Sequence, residues 1–511
     1  MSTHYDAVVI GSGQGGTPLS MAFATSNKKT ALIEGAHIGG CCVNEGCTPT
    51  KTMIASGRVA YLSRRGPDYG VHMSPSLDDA KINPVRIDME QVRARKRDMV
   101  ERFRTGSEQR VRDAGVEVLA GTARFRDEKT LEVRGKNGHH RDQVRVIRAD
   151  RIFICTGERP ATPALEAFDR SSLPPDTILD STSVQELGEV PAHLVVVGGG
   201  YIGLEFGQLF RRLGAEVTIV QRAGQLVPRE DAEIAQAMVD ILRQDDVRVL
   251  LKTRPVKIER AVQGHKDAKP ATGSELSVDS GSGSGSGSVL VSVAGPDGMS
   301  SVLRASHVLF AAGRVPDTDG MNLTAAGIRT TSRGYIIVDE QLRTSNPRVW
   351  ALGDVKGPPA FTHVSYDDYR LLRANLLDRD STSSAAPART TVDRILPYVV
   401  YTDPQLGHVG LHEHEARAKF PSSQIQIATM PMSYVARALE TDEPRGLMKA
   451  VVHAETQRIL GFTCLGLEGG EIMSVVQMAM ISGCAWTALR DAVWAHPSLA
   501  ESLNSLWGML K

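Results

Sequence analysis

Short apolar runs of four or five residues recur along the chain, separated by stretches whose apolar positions repeat at helical spacing. Ala7-Val8-Val9-Ile10 reads as a short buried strand. It leads into Gly11-Ser12-Gly13-Gln14-Gly15-Gly16, a helical stretch through Ala24, and the strand-like Thr30-Ala31-Leu32-Ile33-Glu34. That order predicts a βαβ unit opening at residue 6. The pattern then restarts. Leu194-Val195-Val196-Val197 predicts a strand, Gly198 to Gly203 a loop, Leu204 to Leu213 a helix, and Val217-Thr218-Ile219-Val220 a strand. Two such units predict two nucleotide-binding domains in one chain. Between them, Val85 to Gly115 is charged and helix-like, and Arg151 to Cys155 is a strand ending in Thr156-Gly157.

Two segments break the pattern. Residues 264–288 become low-complexity and end in repeated Gly-Ser, which cannot bury enough apolar surface to order itself. Lying between β-rich runs, this tract is expected to be a disordered hairpin loop. Ser381 to Arg389 is a softer segment and a better boundary. Strand-like Tyr398-Val399-Val400-Tyr401 follows it, opening an α+β region that ends in a helix starting near Ser498.

Composition narrows the class. The chain has 511 residues, with 59 basic and 59 acidic side chains, so no net field recruits nucleic acid or an anionic membrane. No apolar run approaches the roughly 18 residues of a membrane span. Only Met1 to Asp6 precede the first apolar run, so no signal peptide is expected there. Six cysteines in a chain of this length do not make a secreted disulfide scaffold. These features point to a cytoplasmic protein.

The chemistry concentrates in three places. In the first loop, Gly11, Gly13 and Gly16 permit a tight turn, close backbone approach to a pyrophosphate, and close helix–strand packing, with Glu34 at the spacing of a ribose-binding acid. In the second, Gly198, Gly200 and Gly203 repeat the arrangement, but Gln221 and Arg222 replace the acid. A carboxylate there would repel a 2′-phosphate, whereas Arg222, assisted by Arg229, can pair with one. NADPH is therefore expected over NADH. Third, Gly39-Gly40-Cys41-Cys42-Val43-Asn44-Glu45-Gly46-Cys47-Thr48-Pro49-Thr50-Lys51 places two thiols, Cys42 and Cys47, with four residues between them. Thr48 to Lys51 is a plausible helix opening, and a helix N-terminus favours thiolate. No second cysteine pair or close histidine cluster accompanies Cys42 and Cys47, so zinc is disfavoured and no metal ligands are assigned. A structural disulfide is disfavoured by the reducing compartment.

With these motifs the chain resembles the class I pyridine nucleotide-disulfide oxidoreductases, the family of dihydrolipoamide dehydrogenase, glutathione reductase and mercuric reductase. Several motifs carry the resemblance: the cysteine segment, Thr156-Gly157, Ala311-Ala312-Gly313-Arg314-Val315-Pro316, Ala351-Leu352-Gly353-Asp354, Thr402-Asp403-Pro404 and His496-Pro497-Ser498-Leu499-Ala500-Glu501. The resemblance implies an α/β fold of two Rossmann-like domains, for FAD and NAD(P), with a C-terminal α+β dimerisation domain. The expected division is 1–165 and 306–385 for FAD, 166–305 for NAD(P)H, and 386–511 for dimerisation.

It also implies roles. Cys47 lies against the flavin and forms the charge-transfer thiolate, and Cys42 attacks substrate. Lys51 pairs with Glu205 near the flavin, and Asp354 bonds the ribityl chain. Thr156, Gly157, Gly313 and Arg314 belong to segments meeting FAD. His496, oriented by Glu501, serves the cysteine pair of the other subunit, making the homodimer part of the active site. A histidine titrating near neutrality suits that proton traffic.

The expected activity is electron transfer from NADPH through FAD to the Cys42–Cys47 disulfide, then to a small-molecule or protein disulfide or another thiol-reactive substrate. Alternatives are a metal ion or quinone as acceptor, and dithiol oxidation in the reverse direction. A binding subunit with a vestigial redox centre is a third class. Cys41 stands where the family usually has threonine, and is either a third reactive thiol or, preferred here, a small buried residue. The tail from Leu503 to Lys511 lacks the vicinal cysteines of mercuric reductases. His363 and Tyr366 lie where the family approaches the flavin and are candidates for substrate contact or for local packing.

Overall fold

A computed structural model describes residues 3–72, 85–135, 144–161, 173, 175–261, 289–296, 298–378 and 387–511. The low-complexity tract from 264 to 288 and residues 381–386 of the second soft segment lie outside these. The chain forms two compact units. One comprises Met1–Thr52, Ala94–Ala161 and Gly313–Arg394, and the other Met53–Arg93, Thr162–Ala312 and Ile395–Lys511.

The first unit is built on a six-stranded sheet. Thr3–Ile10 lies at its centre, parallel to Thr30–Glu34 on one side and Val144–Ile154 on the other. Glu117–Phe125 and Val349–Ala351 extend the parallel order outward. Thr130–Gly135 bridges Glu117–Phe125 and Val144–Ile154 in antiparallel fashion. The apolar run at residues 7–10 is continuous because both faces of its strand are buried: Val8 and Ile10 join one core cluster, Ala7 and Val9 the other. The helices Gly16–Thr25 and Thr362–Arg373 cover the second of these faces.

The second unit repeats the parallel theme. His193–Val197 lies between Glu216–Val220 and His307–Phe310, with Arg248–Leu250 and Ile178–Leu179 at the edges. Beside it, Arg254–Arg260 pairs antiparallel with Val289–Ala294, and Ser300–Ala305 follows. The C-terminal part is a five-stranded antiparallel sheet of Pro397–Val400, Gln405–Gly410, Ile459–Gly466, Leu447–His453 and Ile425–Pro431. Its core includes Met473, Val476, Leu503 and Trp507.

Two helix starts differ from the sequence reading. The helix after the second glycine loop begins at Tyr201, not Leu204, because Gly200 is extended and the third glycine already lies in the first turn. The terminal helix is Ser502–Trp507, later than Ser498, because Ser498 Oγ accepts from the Glu501 amide in a preceding turn. No helix among the described residues is long and apolar enough to cross a membrane.

Candidate active site

The first glycine loop follows strand Thr3–Ile10. Gly11 has φ +96°, and a Cβ there would sit 2.5 Å from the Cys155 carbonyl oxygen. At Gly16 a Cβ would collide with the Gly11 carbonyl oxygen. At Gly13, by contrast, a Cβ would meet nothing nearer than 4.0 Å. The fold itself thus demands glycine at positions 11 and 16 but leaves space at 13, the position that must admit a pyrophosphate. Glu34 Oε2 accepts from the Ser12 amide at 3.0 Å and from Ser12 Oγ at 2.5 Å, which holds the carboxylate at the loop. Thr156 Oγ1 is buried with no hydrogen-bond partner among the described residues. A buried polar atom of this kind calls for a partner. Open space at Gly13 and an orphaned hydroxyl at Thr156 both fit a bound dinucleotide.

The cysteine segment is fastened to this loop. Gly40 has φ +64°, and a Cβ there would come within 2.6 Å of Gly13 Cα, so no larger residue allows the approach. Asn44 Nδ2 donates to the carbonyls of Ile38 and Gly40 at 3.1 and 2.9 Å, and its Oδ1 accepts from Arg104 Nε at 2.8 Å. Cys42 lies in the short helix Gly40–Asn44, and Cys47 opens the helix Cys47–Arg64. Both are free thiols. They are hydrogen-bonded to each other, and that bond, with burial and the charge on Cys47, raises the Cys42 thiol well above its ordinary value. Cys42 therefore holds its proton more tightly, while Cys47 opens its helix, at the end where a negative charge is favoured. Thr362 Oγ1 lies 3.3 Å from Cys47 Sγ.

Cys41 departs from the buried reading. It is exposed, because the one-turn helix buries only Val43. Arg314 Nη2 lies 3.6 Å from Cys41 Sγ and donates to the Glu158 carbonyl at 2.6 Å. Desolvation by surrounding atoms raises the Cys41 thiol, and Arg314 opposes it. Asp354 is pushed up to about 6, first by burial and then by the charge of Glu158, against the pull of Arg314 and Lys356. Tyr335 donates to Glu158 Oε1 at 2.7 Å. His363 stacks on Phe361, and Tyr366 packs against Tyr369.

The second unit carries the other candidates. At Gly198 a Cβ would sit 2.5 Å from the Ala311 carbonyl oxygen, and at Gly203 it would collide with the Gly198 carbonyl oxygen, while Gly200 faces open space. Gln221 Oε1 accepts from the Gly199 amide at 3.2 Å, the counterpart of Glu34 on the first loop. Arg222 and Arg229 are exposed. Glu205 is buried and accepts from the Tyr401 amide at 2.9 Å. His496 is 72 % exposed, and its Nδ1 lies 2.9 Å from Glu501 Oε2, so the carboxylate orients the ring and the other nitrogen faces outward. Lys51 and Glu205 fall in different units.

Thr362, Glu158 and Ser12 were not singled out from the sequence. Nothing local marks Thr362 or Glu158, whose partners lie 315 and 156 residues away. Ser12 had a signal, its place inside the glycine loop facing the strand-end acid.

The profile described as pyridine nucleotide-disulphide oxidoreductase matches residues 5–368, and that of its dimerisation domain matches residues 396–506. The chain belongs to this family. It is an FAD- and pyridine nucleotide-dependent oxidoreductase with a dimerisation domain. The probable pyridine nucleotide-disulfide oxidoreductase RclA of Escherichia coli is 33% identical, over 99% of each chain. A mercuric reductase of Bacillus cereus is 30% identical over 98% of this chain and 70% of its own. A solved structure, the Cu(II) complex of the HOCl-induced flavoprotein disulfide reductase RclA from Escherichia coli, superposes with a TM-score of 0.81 at 31% identity, covering 100% of both chains.

Proposed function

We propose that the chain is a homodimeric, cytoplasmic, NADPH-dependent disulfide reductase. The observation that carries this reading is the hydrogen-bonded Cys42–Cys47 dithiol, fastened through Gly40 to the glycine loop. Gly11, Gly13, Gly16, Glu34, Thr156, Gly157, Gly313, Arg314, Lys51 and Asp354 would hold FAD, which supplies the two-electron link between a nicotinamide hydride and the cysteine disulfide. Gly198, Gly200 and Gly203 would hold the pyridine nucleotide. Arg222 and Arg229, exposed beyond the uncharged Gln221, favour a 2′-phosphate.

In the reduced state, His496 of the partner subunit would take the proton of the Cys42 thiol, and the resulting thiolate attacks one sulfur of the substrate disulfide. A mixed disulfide forms and the first substrate thiolate leaves. Cys47 then attacks Cys42 sulfur, the second substrate thiolate leaves, and the Cys42–Cys47 disulfide closes. His496 of the partner subunit would give the departing thiolates their protons, with Glu501 keeping its Nδ1 protonated.

A second reading replaces the disulfide with a thiol-reactive metal ion. Cys41, exposed beside the pair, favours it, as do a relative named as a mercuric reductase and another solved as a Cu(II) complex.

The test is NADPH oxidation by the purified protein against glutathione disulfide, lipoamide, thioredoxin-type disulfides, mercuric ion, cupric ion and quinones. Disulfide turnover should vanish in Cys42→Ser. Full turnover in that variant would sink the proposal, and activity confined to metal ions would favour the second reading. A clear preference for NADH would remove the role given to Arg222.

A further inference from the structure

A separate group of imidazoles is packed in the second unit. His408 lies on strand Gln405–Gly410, His412 caps the helix Glu413–Lys419, and His414 lies in that helix's first turn. The His408 and His412 rings stack with centroids 3.8 Å apart, and His414 lies 5.5 Å beyond His412. Glu230 reaches this group from the loop before the helix Ala232–Gln244. Its Oε1 accepts from Tyr398 Oη, which lies 3.2 Å from His412 Nε2. Its Oε2 lies 3.9 Å from His412 Nδ1.

Glu230 is 5 % exposed and His412 6 %. Glu230 Oε2 has no hydrogen-bond partner among the described residues. A buried carboxylate oxygen without a donor costs free energy unless a proton or a cation meets it. One nitrogen from each of His408 and His412 and one Glu230 oxygen lie within 4.8 Å of one another. The neighbouring group of Asp231, Glu233 and Glu413 is different, since Lys449, 1 % exposed, already pairs with all three.

We infer that Glu230, His408 and His412 form a binding site for a zinc-class dication, apart from the cysteine pair. Two imidazole nitrogens and a carboxylate oxygen are a donor set for zinc and its first-row neighbours. Tetrahedral donors about 2.1 Å from zinc lie about 3.4 Å apart, and each ligating ring must hold the ion near its own plane, so the stacked His408 and His412 rings would tilt apart as the donors draw together. His408 is oriented by Thr463 Oγ1 at Nδ1, 2.8 Å, and by the Gly410 carbonyl at Nε2, 3.1 Å. The ion would replace one of these two bonds and leave the other to fix the ring. Burial lowers both histidines, His408 to about 3, which keeps the imidazoles in the neutral, ligating form. Burial pushes Glu230 up to about 7, so a cation there would compete with a proton.

The test uses the FAD-loaded enzyme with its accessible thiols alkylated, so that cysteine cannot take the ion. After chelator treatment it is dialysed against zinc ion alone, and bound zinc is counted by mass spectrometry. One zinc per chain is expected, with affinity weakened on the order of a hundredfold or more in His412→Asn and in Glu230→Gln. Flavin absorbance reports folding, and the near-isosteric Glu230→Gln decides the matter if His412→Asn does not fold. Absence of zinc from the alkylated parent, or equal zinc affinity in Glu230→Gln, would overturn the inference.

Discussion

Replacing Asp354 by asparagine removes a charge while keeping the shape of the side chain. The carboxyl is pushed from 3.8 to about 6, mainly by burial and then by Glu158. A raised folded-state value means the carboxyl favours folding fully below about pH 4, and that this contribution is lost as pH rises through about 6. At about 1.4 kcal/mol per unit, the loss is on the order of 3 kcal/mol by pH 8, with about half of it falling between pH 5 and 8. The asparagine side chain does not titrate and has no such term. The stability of Asp354→Asn relative to parent should therefore rise by about 1.4 kcal/mol between pH 5 and 8. The assay is urea unfolding of flavin-stripped protein, followed by tryptophan fluorescence and circular dichroism, with the denaturant slope checked for equality between variants. A difference that stays flat or narrows with rising pH would refute the claim that this carboxylate is held at an electrostatic cost. The same variant should bind FAD more weakly, which a flavin titration reads separately.

Three further outcomes are expected. Gly203→Ala drives a methyl group into the Gly198 carbonyl oxygen and should raise the KM for pyridine nucleotide by about tenfold or more, on the scale of 1.4 kcal/mol per decade, while FAD content stays unchanged. Lys449→Met strands Asp231, Glu233 and Glu413 together and should destabilise the protein by about 3–5 kcal/mol in thermal or urea unfolding. Asp231 and Glu413 are held below their ordinary values by Lys449, so this deficit should shrink as pH falls below about 4 and they protonate. Arg314→Leu removes the cation beside Cys41, and alkylation of Cys41, followed by peptide mass spectrometry, should slow at pH 8; faster alkylation would show that Arg314 shields the thiol instead.

Much of this protein was written in local sequence. Strands buried on both faces are apolar throughout, and a loop that must turn within a few residues needs glycine, so both βαβ units were legible from short windows. The cysteine spacing, the acid at residue 34 and its replacement by Gln221 and Arg222 were legible for the same reason. Long-range placement was not. Cys41 read as a buried small residue, because nothing in its neighbours shows that a one-turn helix would bury Val43 and leave position 41 beside Arg314. Thr362 meets Cys47, and Glu158 sets the field at Asp354, across separations no periodicity spans. The sequence alone determined which chemistry the chain carries, since glycines and cysteines act through backbone freedom and thiol identity. Only the tertiary structure decided how charge is distributed around that chemistry, because burial and the approach of distant side chains exist only once the chain has packed.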